Sequence, residues 1–289
     1  MTLLVTGTSG HLGRLTVHAL LARGVAPSEI VATARRTEAV KDLADLGVET
    51  RPADYDDPAS LAGALAGVDR LLLVSASEPG NRVAQHSNVI DAAVAAGVSL
   101  VGYTSILGGT TTGLALAAEH GATEDYLAAS GVPHVLLRNG WYLENYTENT
   151  AVPLQLGAVY GAAGDGRVSA AARVDFAEAA AVVMTSDGQA GRTYELAGDS
   201  AFTMTEYAAA LSAAAGREIT YADLPAEEYV VALVAGGVPA PFAEILADCD
   251  LGIARGALED TSQTLSGLIG RPTTSLAQAL SGSVASRPA

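Results

Sequence analysis

The segment VTGTSGHLG, with Gly7, Gly10 and Gly13, constrains this chain more than any other stretch. An apolar run (LLVT, 3–6) leads into it, and an Ala- and Leu-rich run from Leu12 to Arg23 leads out of it. A strand that turns sharply into a helix uses its glycines in three ways. One permits the tight turn, one lets a ligand approach the backbone, and one lets the helix pack closely on the strand. The helix N-terminus then offers free N–H groups and a positive dipole end to an anion. The pattern predicts a dinucleotide pyrophosphate seated on Gly7, Thr8, Ser9, Gly10, His11, Leu12 and Gly13. A tight turn that holds no ligand is the plainer alternative.

The first half of the chain repeats this rhythm. Strand-like runs at 30–34, 48–53, 70–75, 100–105 and 134–138 alternate with helix-like stretches such as 59–66 and 82–96. Such alternation predicts an α/β chain built on a Rossmann-type doubly wound parallel sheet. Past about residue 139 the rhythm loosens. Short strands are expected at 194–198 and 218–224, and helices at 203–215, 225–235 and 240–247. The expected division is a dinucleotide-binding domain over 1–139. A smaller C-terminal α/β substrate-capping lobe follows over 140–289, with some segments returning to the sheet.

Composition narrows the classes of function. Apolar residues make up 49% and charged residues 17%, which suits a well-packed globular chain and excludes general disorder. The longest apolar stretch, YVVALVAGGVPAPF, is broken by Gly236, Gly237 and two prolines, so no membrane span is expected. The opening strand-like run shows no basic or apolar leader ahead of it, so none is expected, and the single cysteine, Cys249, allows no internal disulfide; a cytoplasmic protein is expected. Cys249 lies between Asp248 and Asp250, whose charges oppose a thiolate. The net charge of −16 argues against a nucleic-acid partner, which needs a basic surface. No metal site is expected.

The second strand-like run ends in TARR. A carboxylate there would accept from the ribose 2′-hydroxyl of NAD; instead Arg35 and Arg36 follow Gly13 by about 22 residues. A guanidinium suits the 2′-phosphate of NADPH, with Arg35 the foremost candidate. The alternative is a solvated helix start. Asp54, after the third run, is placed for the adenine amino group or for capping the helix from Ala59 onward. Ser75, Ala76 and Ser77 end the fourth run, where a loop passes under the ribose and nicotinamide.

Dehydrogenases with this glycine pattern commonly use Tyr-x-x-x-Lys, the lysine easing proton delivery by the tyrosine. Here the sole lysine is Lys41 and Thr37 precedes it by one helical turn, so that dyad is impossible. In its place, LALAAEHGATEDYLAASG puts His120 and Glu124 one helical turn apart. An imidazole beside a carboxylate suits an acid, a contact to the nicotinamide side, or a plain helix pair. The sixth run ends at Arg138 and opens into Asn139, Gly140, Trp141, Tyr142, Asn145 and Tyr146 at the sheet's carboxyl edge. Aromatic faces there suit a flat, conjugated substrate, or else fill the space between the lobes.

On the glycine loop, AEHGATEDYLAASG, LLRNGWYLENYT, GAAGDGRVSAAARVDFA, TYELAGDSAFTMTE and LSGLIGRPTTSLAQAL, the chain resembles the NmrA-like branch of the atypical short-chain dehydrogenases. Within that branch the likeness runs to its NADPH:quinone oxidoreductases. The resemblance implies NADPH along Gly7 to Gly13, near Arg35, at Ser75 to Ser77 and along Arg138 to Tyr142. It implies a quinone as the small-molecule substrate, above the nicotinamide near Trp141 and Tyr142. Tyr142 and His120 are the remaining candidate proton donors. The branch also contains non-catalytic NADPH/NADP redox sensors and reductases of other carbonyl or imine compounds. It leaves open whether the chain forms a homodimer.

Overall fold

The computed structural model of the protein describes residues 1–76, 78 and 80–285. Strands β1 (Leu3–Val5), β2 (Ile30–Ala34), β3 (Glu49–Pro52), β4 (Arg70–Leu73), β5 (Leu100–Ile106) and β6 (His134–Asn139) form inside the expected runs or one residue beyond them. Helices α1 (His11–Ala22), α2 (Lys41–Asp45), α3 (Pro58–Ala64), α4 (Arg82–Ala96) and α5 (Ala117–Ser130) lie between them. Gly97 and Gly131 end α4 and α5 at φ 72° and 74°, the left-handed conformation that closes a helix at little cost only for glycine.

The second half continues with α6 (Glu144–Thr147), α7 (Ala151–Leu156), β7 (Ala158–Gly161), β8 (Arg167–Val168), α8 (Arg173–Thr185) and β9 (Thr193–Leu196). It closes with β10 (Phe202–Thr203), α9 (Met204–Ala215), β11 (Thr220–Asp223), α10 (Ala226–Ala235), α11 (Ala240–Ala254), α12 (Thr264–Ile269) and α13 (Leu276–Ala285). Helix α11 runs well past the expected 247. The expected helix at 203–215 forms as α9, with Thr203 as its cap. The Thr203 hydroxyl accepts from Glu206 N–H while the Glu206 carboxylate accepts from Thr203 N–H.

Seven strands make one parallel sheet in the order β3-β2-β1-β4-β5-β6-β9. The order reverses between β1 and β4, so a crevice opens there at the carboxyl edge, where open α/β sheets take their ligands. The strands are apolar on both sides because both faces are covered. One face packs Leu65, Val89, Ile90 and Leu127 of the α3–α5 layer on the sheet. The other packs Val17 and Leu20 of α1 with Phe176, Val183 and Met184 of α8.

Helix α8 was not expected from the sequence. Eight residues of its stretch RVDFAEAAAVVMT are buried, Asp175 among them, while Val174 and Val182 lie on the more open side, so apolar residues stand all round and no amphipathic period marks the helix. Asp175 accepts from Thr274 N–H and pairs with Arg271, which ties the helix to the C-terminal segment. Outside the sheet, β7 and β11 pair in parallel, β8 and β10 pair antiparallel, and a separate core gathers Leu143, Phe202, Tyr207, Leu211 and Ile253. Among the described residues no helix is long and apolar enough to cross a membrane.

Phe176 is 1% exposed and joins α8 to the residues following β6, since the Tyr142 ring stands edge-on to it at 5.2 Å. Phe176→Ala is expected to lower the unfolding free energy by about 3–5 kcal/mol, read by urea denaturation. A loss below about 1 kcal/mol would show that α8 is not held as described.

Candidate active site

Gly7 takes φ +61°, and its carbonyl accepts from Gly10 N–H at 2.9 Å, which closes the turn after β1. A side chain at Gly13 would lie 2.7 Å from the Gly7 and Thr6 carbonyl oxygens, closer than a methyl can come. Glycine at this point is what lets α1 start against the strand. Gly10 is the N-cap of α1; no side chain caps the helix and no acid stands in its first turn. Its first N–H groups are thus free of side-chain acceptors and face the crevice, a cradle that fits a pyrophosphate. Ser9, Gly10 and His11 are exposed at the lip, whereas Leu12 and Gly13 are buried. Thr8 turns inward: its hydroxyl and its backbone N–H both donate to the Thr33 carbonyl, at 2.9 and 3.1 Å.

Arg35 stands at the end of β2 with its side chain 74% exposed and 4.0 Å from Glu78, a loose pair that leaves the guanidinium available. Asp54 does not cap α3. That cap is Asp57, which accepts from Ala59 N–H at 3.0 Å, while the Asp54 carboxylate accepts from Asp56 N–H in the preceding turn. Ser77 lies outside the described residues.

The loop after β4 is held from outside by side chains. Val74 N–H donates to Thr6 Oγ1, Ser75 N–H to Thr104 Oγ1, and Ala76 N–H to His86 Nε2, each at 2.9 Å. The Ala76 carbonyl accepts from Arg82 Nε at 2.9 Å, and Arg82 in turn pairs with Glu119 at 3.1 Å. Tyr55 joins this loop to the glycine loop, its hydroxyl lying 2.6 Å from Thr6 Oγ1 and 2.9 Å from the Val74 carbonyl. None of Thr6, Tyr55, Arg82, His86 or Thr104 stood out in the sequence. Each is a polar residue at a buried or half-buried place in a strand, helix or turn, and no spacing marks such a position.

His120 and Glu124 share a helix face but do not pair, contrary to expectation. The Tyr103 hydroxyl lies 2.8 Å from His120 Nδ1, and Glu124 instead accepts from Ser105 Oγ at 2.5 Å and from Arg138. A guanidinium satisfies a carboxylate better than a neutral imidazole does, and Arg138 meets Glu124 with two nitrogens at 3.0 and 2.6 Å. The third nitrogen of Arg138 donates to Glu195 at 2.9 Å, so its guanidinium is committed to two carboxylates. Burial, reinforced by the charge of Arg82, lowers His120 to about 3, so it carries no proton to give as an imidazolium at neutral pH.

Asn139 is buried, with its Nδ2 3.5 Å from the Tyr142 hydroxyl, and Gly140 N–H donates to the Leu196 carbonyl at 2.7 Å. Trp141 and Tyr142 part company. Trp141 packs on the separate core around Leu143, Phe202 and Tyr207, while Tyr142 packs on the sheet-side core beside Phe176. The Arg173 guanidinium lies 5.3 Å from the centre of the Tyr142 ring. Burial raises the Tyr142 phenol above its usual value, which makes it a weaker acid. Tyr146 packs against Phe202 and Tyr207. Burial, with Asp248 and Asp250 behind it, pushes the Cys249 thiol up to about 12 and keeps it unreactive.

The sequence profile of the NmrA-like family matches residues 1–251, and the chain belongs to that family. It is 48% identical to quinone oxidoreductase 2 of Escherichia coli over 96% of both chains. The solved structure of the NADPH-dependent quinone oxidoreductase of Escherichia coli with NADPH superposes at a TM-score of 0.95, with 47% identity over 97% of this chain and 99% of that one. The triphenylmethane reductase of a Citrobacter species with NADP(H) superposes at 0.93, with 36% identity over 98% of this chain and 100% of that one.

The buried imidazoles give the fold an acid limit. His86 and His120 are both lowered by burial from the usual 6.5 to about 3, so between these values the unfolded chain binds protons that the folded one refuses. Stability is expected to fall as pH drops through that window. Urea midpoints measured from neutral pH downward should show the fall, and His86→Gln should make it shallower. A midpoint that does not move with pH would contradict the desolvation of these rings.

Proposed function

We propose that this protein is an NADPH-dependent oxidoreductase that passes hydride to a quinone. In this reading residues 1–139 hold the dinucleotide and residues 140–289 mainly cap the substrate. The observation that carries it is the uncapped start of α1 on its glycine turn, with Arg35 exposed at the neighbouring strand end. The identity to the quinone oxidoreductase of Escherichia coli and the fit to its NADPH complex support it. We place the activity in the cytoplasm, on the composition argument. When bound, the cofactor supplies a hydride from its nicotinamide ring.

The residues around the crevice then bind and orient; they do not drive a proton. The Tyr142 phenol is weakened by burial and His120 is neutral. A ketone whose carbonyl takes hydride becomes a basic alkoxide and needs an acid at hand. A quinone becomes a delocalised, weakly basic hydroquinone anion, which water can protonate. The reaction balances as quinone, NADPH and one proton giving hydroquinone and NADP. The same argument favours a delocalised cation as acceptor, which takes hydride and needs no proton. The likeness to triphenylmethane reductase supports that second reading.

Two outcomes are expected. Wild type binds NADPH more tightly than NADH, and Arg35→Ala weakens NADPH by about 1.5–3 kcal/mol while leaving NADH almost unchanged. Equal affinity of the wild type for both cofactors, measured by fluorescence titration, would sink the assignment of Arg35. Turnover followed by NADPH absorbance should be much faster with quinones than with aliphatic ketones. His120→Ala should change the rate with quinone little, and Tyr142→Phe somewhat more. A faster reaction with ketones defeats the quinone reading, and tight NADPH binding with no turnover of any acceptor returns the chain to a sensor.

A further inference from the structure

We infer that His86 is a positioning residue for the nicotinamide half of the dinucleotide, acting through the Ala76 peptide. The inference rests on the cofactor reading above. A dinucleotide laid across a doubly wound sheet spans the point where the strand order reverses. With Arg35 at the end of β2, the adenosine end belongs to the β1–β2 side, and the other half crosses to β4 and β5. The loop after β4 borders the glycine loop directly, since a side chain at Gly7 would lie 3.6 Å from Val74 Cβ. That loop meets the half of the ligand that carries the chemistry.

The grip on the loop is specific at Ala76. Its N–H donates to His86 Nε2 at 2.9 Å and its carbonyl accepts from Arg82 Nε at 2.9 Å, so the residue is held at both its N–H and its carbonyl. An Nε2 that accepts has no proton, so the proton lies on Nδ1, which donates to Thr123 Oγ1 at 3.0 Å; the Thr123 hydroxyl then donates to the Glu119 carbonyl at 2.9 Å. Each group's donors and acceptors are matched in one direction only, which sets the tautomer. His86 is fully buried and accepts from the loop at Nε2. Burial, then the charges of Arg82 and His120, keep the ring neutral, so the grip survives across the working pH range. A polar side chain buried so deeply in α4 is not needed to pack that helix; an apolar residue of the same volume would serve.

The test uses the full chain with two ligands, NADPH and adenosine 2′,5′-bisphosphate. The second reaches only the adenosine side. In His86→Leu the dissociation constant for NADPH should rise about tenfold, the effect of one lost hydrogen bond, while that for the bisphosphate stays unchanged. His86→Gln, whose amide can accept from Ala76 and donate to Thr123, should recover most of the loss. If His86→Leu does not fold, Thr123→Val frees the tautomer with His86 in place and should show the same split. Equal weakening of both ligands, or no weakening of NADPH, overturns the inference and leaves the cofactor reading standing. A wild type that binds neither ligand overturns both.

Discussion

The approach of α1 to β1 at Gly13 is the contact on which the rest of the molecule depends. A methyl group there would meet two carbonyl oxygens at 2.7 Å. With hydrogen in its place the helix starts against the strand, and its free N–H groups come to lie in the crevice. The same closeness brings α1 flat onto the sheet, where its apolar side receives α8. Through Phe176, α8 then fixes Tyr142 at the other end of the crevice. One backbone contact thus determines both where a pyrophosphate can sit and how far the aromatic wall stands from it.

The site inverts the usual arrangement of charge in a reductase. The groups able to donate a proton are buried tyrosines made less acidic and histidines kept neutral. The strong charges, Arg138 with Glu124 and Glu195, are turned on each other as a brace between α5, β6 and β9. Desolvation explains both facts. Away from water a lone charge is costly, so the buried charges pair and the buried titratable rings stay uncharged. Such a site suits acceptors that carry their new electrons in a conjugated system.

What could be read from the sequence was what has a period or a fixed spacing. The glycine loop, the six opening strands and the helices between them follow from alternation and from the turn chemistry of glycine. The place of Arg35 just past the end of β2 followed from its distance beyond Gly13. Helix α8 escaped because its more open side carries Val174 and Val182, and a pattern without a polar face has no period. The pairing of Glu124 escaped because its partner, Arg138, sits in a neighbouring strand, and a helix diagram shows only partners in the same helix. His86 escaped for the same reason. Its acceptor role is defined by a loop ten residues upstream that folds back onto it.

The path of α8 and β9 has a consequence for the birth of the protein on the ribosome. The chain leaves the sheet after β6, builds part of the outer lobe, comes back as α8 and β9, and leaves again. Until residue 196 has emerged, β6 has an open edge along Leu136 to Asn139, and until residue 185 has emerged α1 has no partner on its apolar side. A nascent chain paused before that point displays a bare parallel edge next to exposed valine and leucine, the combination most prone to join with another chain. The order of elements therefore ties the solubility of the growing polypeptide to uninterrupted synthesis through its middle third.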